Sequence, residues 1–197
     1  SFVSFMDING NGVKDKDEDI LQNVVIKVDD HELLTDTDGK ATITNIEKNT
    51  YKIETFSLEK LNGWFPNVND SIRLEKNKTV YIPFVRGVKV YGDVVLNRQK
   101  IAISDKSPID LSRIKISASN GKLFNTLTDK KGHFEFYLPY GDYVITMDEQ
   151  ILNNTFSVTY NNIPLNLKDS ESSAYISFYI IEKRRKVIFK NFTKKQE

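Results

Sequence analysis

Cysteine is absent from the 197 residues, which removes disulfides, thiolate metal sites and cysteine nucleophiles together. A fold of this size must then be held by its core alone, or by its core and a bound metal. Histidine occurs twice, as His31 and His133, with no His-x-x-x-His spacing that would suggest zinc. There is no Gly-x-Ser-x-Gly elbow, no Ser/His/Asp set and no phosphate-cradling glycine loop. Carboxylates are plentiful, but none sits in the apolar context of a tuned acid–base pair. The chain is therefore expected not to be an enzyme. Apolar runs such as Val80 to Val85 are far too short to cross a bilayer. Neither sign of charge dominates: 28 Lys and Arg face 27 Asp and Glu, so nothing electrostatic favours nucleic acid. The sequence opens on Ser1 without an initiator Met or a charged-then-apolar leader, and is expected to be a piece of something longer.

What the chain does have is alternation. Val24, Ile26 and Val28 alternate with Val25, Lys27 and Asp29. Phe134, Phe136 and Leu138 alternate with His133, Glu135 and Tyr137, and Ile176, Phe178 and Ile180 with Ser177 and Tyr179. Ile72 and Leu74 flank Arg73. A period of two puts one side of each segment on a core and the other in solvent, which predicts antiparallel sheets. Asn120-Gly121 lies between two such segments and predicts a hairpin with a type I′ turn. Asp15 to Leu21 and Leu58 to Asn62 have room for a short helical turn each. The fold class is all-β: two tandem Ig-like or transthyretin-like antiparallel β-sandwiches.

An internal repeat sets the domain count. Thr35-Asp36-Thr37-Asp38-Gly39-Lys40-Ala41 leads into Tyr51-Lys52-Ile53, and Thr128-Asp129-Lys130-Lys131-Gly132-His133-Phe134 leads into Tyr143-Val144-Ile145. The copies are about one small β domain apart. The boundary is placed at Arg86-Gly87, giving domains 1–86 and 87–197.

One constellation carries chemistry. Asp7-x-Asn9-x-Asn11-Gly12-x-x-Asp15-x-x-Glu18 fits the twelve-residue calcium loop at each informative position. Calcium takes six to eight hard oxygens in a flexible shell. Asp7, Asn9 and Asn11 would give side-chain oxygens at positions one, three and five, and Gly12 permits the bend at six. The Val13 carbonyl fits seven, Asp15 fits nine, and Glu18 would close the shell at twelve. The other reading is an Asp- and Asn-rich surface turn. The flanks are strand-like, so a bound Ca2+ would stiffen the loop rather than switch a pair of helices.

The opening Phe5-Met6-Asp7-Ile8-Asn9-Gly10-Asn11-Gly12, with Asp15 and Glu18, resembles the start of the SdrD B-like (Cna-B-like) repeats of bacterial surface adhesins. The family usually has Gly-x-Tyr where this chain has Asn49-Thr50-Tyr51, and asparagine there is expected to take the left-handed turn. In the second half, Val90-Tyr91-Gly92-Asp93-Val94, the Thr-Asp-x-x-Gly turn and Leu138-Pro139-Tyr140-Gly141-Asp142-Tyr143 together resemble the carboxypeptidase-regulatory-like (transthyretin-like) β-sandwich. These resemblances imply a structural or adhesive module of a bacterial cell-surface, secreted or periplasmic protein. Its partners would be other domains of the same or a partner surface protein. The alternative they leave open is an accessory module that binds carbohydrate or protein, attached to an exported enzyme or transport system.

Several features keep ordinary readings. Asp36 and Asp38, near Asp29 and Asp30, could add a second calcium site, but aspartates in turns more often serve backbone donors. Trp64 and Phe65 could form a sugar platform, against the simpler expectation that Trp64 plugs one end of a sandwich. Lys183-Arg184-Arg185-Lys186 with Lys194-Lys195 reads as a solvated basic end. Asn69-Asp70-Ser71 and Asn153-Asn154-Thr155 match the glycosylation sequon, as an Asn-rich chain will by chance. Phe2 to Met6 offers no Lys and Ala174 to Ile181 no Asn for an isopeptide crosslink.

Overall fold

The structure, a computed structural model, describes residues 1–75, 77–97, 109–152, 156–168 and 172–182. The basic end at 183–197 and the sequon at 153–155 lie outside the described residues. Among the described residues regular structure is β-strand, apart from one 3₁₀ turn at Glu149–Ile151. The chain divides into two compact units. The first comprises Ser1–Val90, Phe136–Gly141 and Asn166–Ala174, and the second the remainder.

Two sheets face each other across the first core. One is built from β1 (Phe2–Met6), β4 (Lys40–Ala41), β6 (Trp64–Pro66) and β8 (Val80–Arg86), in the order β4-β1-β8-β6. The other holds β2 (Val24–Val28), β3 (His31–Leu34), β5 (Asn49–Ser57) and β7 (Ser71–Leu74), in the order β3-β2-β5-β7. Phe2, Ile82 and Phe84 meet Val24, Ile26 and Ile53 in a single buried cluster. Each such side chain taken from water contributes roughly 1.5–3 kcal/mol. In the sheet β4-β1-β8-β6, β1 departs from the antiparallel expectation and runs parallel to β8, with Phe2 beside Val80 and Met6 beside Phe84. That pairing fixes where β1 ends, and so where the Asp7 loop begins.

The remaining sheets have the orders β12-β9-β16-β14 and β11-β10-β13-β15. The first of these consists of β9 (Val88–Asn97), β12 (His133–Leu138), β14 (Phe156–Val158) and β16 (Ser173–Glu182). The second consists of β10 (Lys115–Ser119), β11 (Leu123–Leu127), β13 (Gly141–Met147) and β15 (Ile163–Leu167). Ile116, Ala118 and Ile145 are buried on one side and Phe134, Phe178 and Ile180 on the other. The Phe134 and Phe178 rings lie 6.2 Å apart, within the range of favourable aromatic pairs.

Turn details differ from the sequence reading. Ser119 pairs with Leu123, so the β10–β11 loop has three residues, 120–122, rather than two. Gly121 has φ of 97° while Asn120 is not left-handed, which excludes a type I′ turn. The Asn120 side chain instead accepts the Lys122 N–H. Asn49 already belongs to β5, paired with Leu74, and the left-handed residue before it is Asn45 (φ 58°). Residues 15–21 and 58–62 contain turns but no helix.

Candidate functional site

The twelve residues from Asp7 to Glu18 form a loop closed at its neck. Met6 donates its N–H to the Asp19 carbonyl at 2.8 Å, and Phe5 bridges Ile20 in antiparallel sense. Leu21 N–H then donates to Ser4 O, so the returning chain lies along β1. Asp7 N–H donates to Phe84 O, which ties the first residue of the loop to β8. Gly10 and Gly12 adopt φ of 72° and 73°, a backbone that glycine takes without strain.

Inside this neck the two terminal carboxylates are buried, Asp7 at 2% and Glu18 at 5% exposure. Buried acids need donors, and the loop backbone supplies them. Asp7 accepts the N–H groups of Asn11 (3.1 Å) and Gly12 (2.8 Å), one on each oxygen. Glu18 accepts those of Ile8 and Asp15, both at 2.9 Å. Asn9 Oδ1 accepts Asn11 N–H, and Asn11 Oδ1 accepts Val13 N–H. The Nδ2 groups of Asn9 and Asn11 both donate to Asp15 Oδ2, at 2.9 and 3.0 Å. Asn9, Asn11 and Asp15 therefore meet, while Asp7 and Glu18 hold the backbone around them.

The residue types carry the carboxylate, carboxamide and carbonyl oxygens that a hard cation takes, but here Asn9 and Asn11 turn their Nδ2 groups to Asp15 and their Oδ1 atoms to loop N–H groups. Among the described residues no three His, Cys, Asp or Glu side chains are grouped so that they could hold a metal ion. The carboxylates of the loop are thus no cage by themselves. A cation here would need the oxygens of Asn9 and Asn11 and the Val13 carbonyl in addition.

The other acidic pairs behave as turn residues. Asp36 Oδ1 accepts the N–H groups of Asp38 and Lys40, and Asp29 Oδ1 accepts that of Lys52. Trp64 is half-buried on β6 and packs on the first core, with the Arg86 guanidinium 5.8 Å from its ring centroid. It is not an open sugar platform.

A second cluster lies on the outward face of β12, β9 and β16, where sequence reasoning identified no site. Asp93 on β9 binds His133 Nδ1 through one oxygen and accepts the Tyr175 hydroxyl on the other at 2.7 Å. The Tyr175 hydroxyl first, and His133 second, hold the Asp93 carboxyl below the ordinary aspartate range. Among the described residues His133 bonds Asp93 but no hydroxyl nucleophile, so the third member of a hydrolytic triad is missing. The Tyr91 and Tyr175 rings stand edge to face, 5.4 Å between centroids. The available signal was period-two alternation, which points Tyr91, Asp93, Tyr175 and Tyr179 outward; the strand order that gathers them is non-local.

Among the described residues no helix is long and apolar enough to cross a membrane. No protein-family model matches the chain, and no curated protein sequence does. Solved structures with some likeness include the Bacillus anthracis TIE protein, at 16% identity and a TM-score of 0.36 over 92% of this chain. A streptococcal ancillary pilin aligns at 15% identity and a TM-score of 0.47 over 93% of this chain. A shaft pilin from Lactobacillus rhamnosus GG, an E269A mutant, aligns at 10% identity and a TM-score of 0.39, covering 94% of this chain and 97% of that one. This chain spans 33% of the TIE protein structure and 62% of the ancillary pilin.

Proposed function

We propose that the chain is a non-catalytic structural or adhesive module of a bacterial cell-surface or secreted protein. In this reading calcium stiffens its first β-sandwich. The ion would be held by Asp7, Asn9, Asn11, Asp15 and Glu18 with the Val13 carbonyl; when bound, it supplies a positive centre for the oxygens of one loop. The observation that supports the reading best is the Asp7–Glu18 loop itself. It is closed on β1, its end carboxylates are buried, and Asn9, Asn11 and Asp15 meet within it. In the same reading, tandem sandwiches carry load or present surfaces, and a stiff loop beside β1 limits bending there.

The test is thermal unfolding in excess calcium and in chelator, for the parent chain and for Asp15→Ala. Asp15 is the partly exposed ligand, so its removal changes the ion's shell without opening a buried gap. At a hundredfold excess over the dissociation constant one site adds roughly 2.7 kcal/mol. The expected result is a calcium-dependent rise in Tm that Asp15→Ala weakens. Superimposable melts in calcium and chelator would reduce the loop to a hydrogen-bonded turn.

A further inference from the structure

We infer that the outward face of β9, β12 and β16 in the second unit is a binding site for neutral oligosaccharides, independent of the calcium loop. Beside this face, where β12 meets β11 of the other sheet, lies an open concavity of about 580 Å³ lined also by Thr126, Leu127 and Asp129, in the size range of small-ligand sites. Its walls combine aromatic rings with carboxylates, an imidazole and hydroxyls. Tyr91 and Tyr175 are 40% and 55% exposed, and Tyr179 on the same strand and face as Tyr175 is 49% exposed. Three large rings on one sheet face, left in water by folding, need a reason beyond the core.

The rings are also held in place. The Tyr175 hydroxyl donates to Asp93 and accepts from Ser177 Oγ at 3.0 Å, while Tyr91 packs edge to face against it. His133 fixes the other Asp93 oxygen. These groups stand on neighbouring strands rather than on loops, so their geometry is set before a ligand arrives and little ordering remains to be done on binding.

The chemistry selects the ligand class. A pyranose presents an apolar C–H face that covers a tyrosine ring, and a rim of hydroxyls that bond carboxylate and hydroxyl oxygens. Tyr91 and Tyr175 supply the first need; Asp93, Glu135 and Thr126 lie beside them for the second. Charge narrows the class further. Asp93, Asp129 and Glu135 line the concavity against the single imidazole of His133, which disfavours sialic acids, uronic acids and phosphorylated ligands.

The experiment uses the full chain in chelator, so that the calcium reading and this one fail separately. Binding to an immobilised panel of maltotetraose, cellotetraose and chitotetraose would be compared with sialyllactose and with a lysine-rich peptide. Tyr91→Ala and Tyr175→Ala remove the platform, and Tyr160→Ala, 77% exposed and outside the concavity, is the control. Equal Tm for all variants shows that the fold is intact. The expected result is capture by at least one neutral tetrasaccharide, weakened about tenfold or more by either platform variant, a loss of ~1.4 kcal/mol. Tyr160→Ala should bind as the parent does, and sialyllactose should bind more weakly. Absence of binding to every neutral glycan, preference for the peptide or the acidic sugar, or an equal loss in Tyr160→Ala would each overturn the assignment.

Discussion

Thr35 and Thr128 make the same hydrogen bonds, each inside its own unit. The Thr35 hydroxyl accepts Val24 N–H at 2.9 Å and donates to Leu21 O at 3.0 Å, and Thr35 N–H donates to Val24 O. The Thr128 hydroxyl accepts Ile114 N–H at 2.8 Å and donates to Leu111 O, and Thr128 N–H donates to Ile114 O. Both residues are buried. The next residue in each copy makes the turn: Asp36 and Asp129 accept two N–H groups on one oxygen ahead of Gly39 and Gly132. Even the left-handed residue facing each threonine recurs, as Asn23 and Arg113. The repeat is therefore a repeated bolt between a loop and the strand it precedes.

Replacing Thr35 with Val keeps the shape but leaves Val24 N–H and Leu21 O without the hydroxyl. An unsatisfied buried polar group costs about 1–3 kcal/mol, so Thr35→Val should lower the unfolding free energy by that much, seen as a lower denaturation midpoint. Thr35→Ser should retain most of the stability, because it keeps the oxygen. Equal midpoints for Thr35→Val and the parent would show that the hydroxyl holds nothing.

Much of this architecture is visible in the residues. The alternation at Val24–Val28 and His133–Leu138 matches β2 and β12, and the Thr-Asp-x-x-Gly copies mark the bolts. What local pattern cannot express is where a side chain reaches. Nothing in Thr35 says that its hydroxyl meets residues 21 and 24, and nothing in Asp93 says that β9 lies between β12 and β16. Turn chemistry fails for a related reason. Asn120-Gly121 is a good I′ pair, yet the register between β10 and β11 demands a three-residue loop. The calcium spacing is equally plain in the residues, but the same oxygens serve five loop N–H groups, a use the motif does not reveal.

Glu18 joins the two ends of its loop by accepting Ile8 N–H on one oxygen and Asp15 N–H on the other. Glu18→Gln keeps the volume but turns one acceptor into a donor, so one of those N–H groups loses its partner. A loss of about 1–3 kcal/mol is expected in chelator as well as in calcium. Denaturant melts in chelator decide the matter. A variant as stable as the parent would mean that the Glu18 bonds contribute nothing without an ion.

Acid should weaken the second unit through Asp93, Asp110 and Asp129. Each carboxyl is held below the ordinary value of 3.8: Asp93 mainly by the Tyr175 hydroxyl, Asp110 by Ser112, and Asp129 by the His133 N–H. A folded pKa below the unfolded one contributes stability that is fully present above the unfolded value. That stability is lost as the pH falls through the lowered folded values. The loss should therefore begin near pH 4 and deepen below it. In Asp93→Asn the curve of stability against pH should be shallower across that window. A slope unchanged from the parent would remove Asp93 from this account.

Gly92 on β9 packs directly against β16. A Cβ built there would lie 1.7 Å from the Ile176 carbonyl oxygen and 2.8 Å from the Phe134 ring. The first obstacle is backbone, which cannot rotate away, so Gly92→Ala must part the strands or twist β9. The cost should reach or exceed ~3 kcal/mol, the upper end for overpacked sites. Because Tyr91 and Asp93 flank the glycine, the same change should move both from their places beside Tyr175. Denaturant midpoints measure the first effect. Near-ultraviolet circular dichroism of the tyrosines, at temperatures where the variant is still folded, measures the second. An alanine variant with parental stability and parental tyrosine signal would show that β9 and β16 do not meet as described.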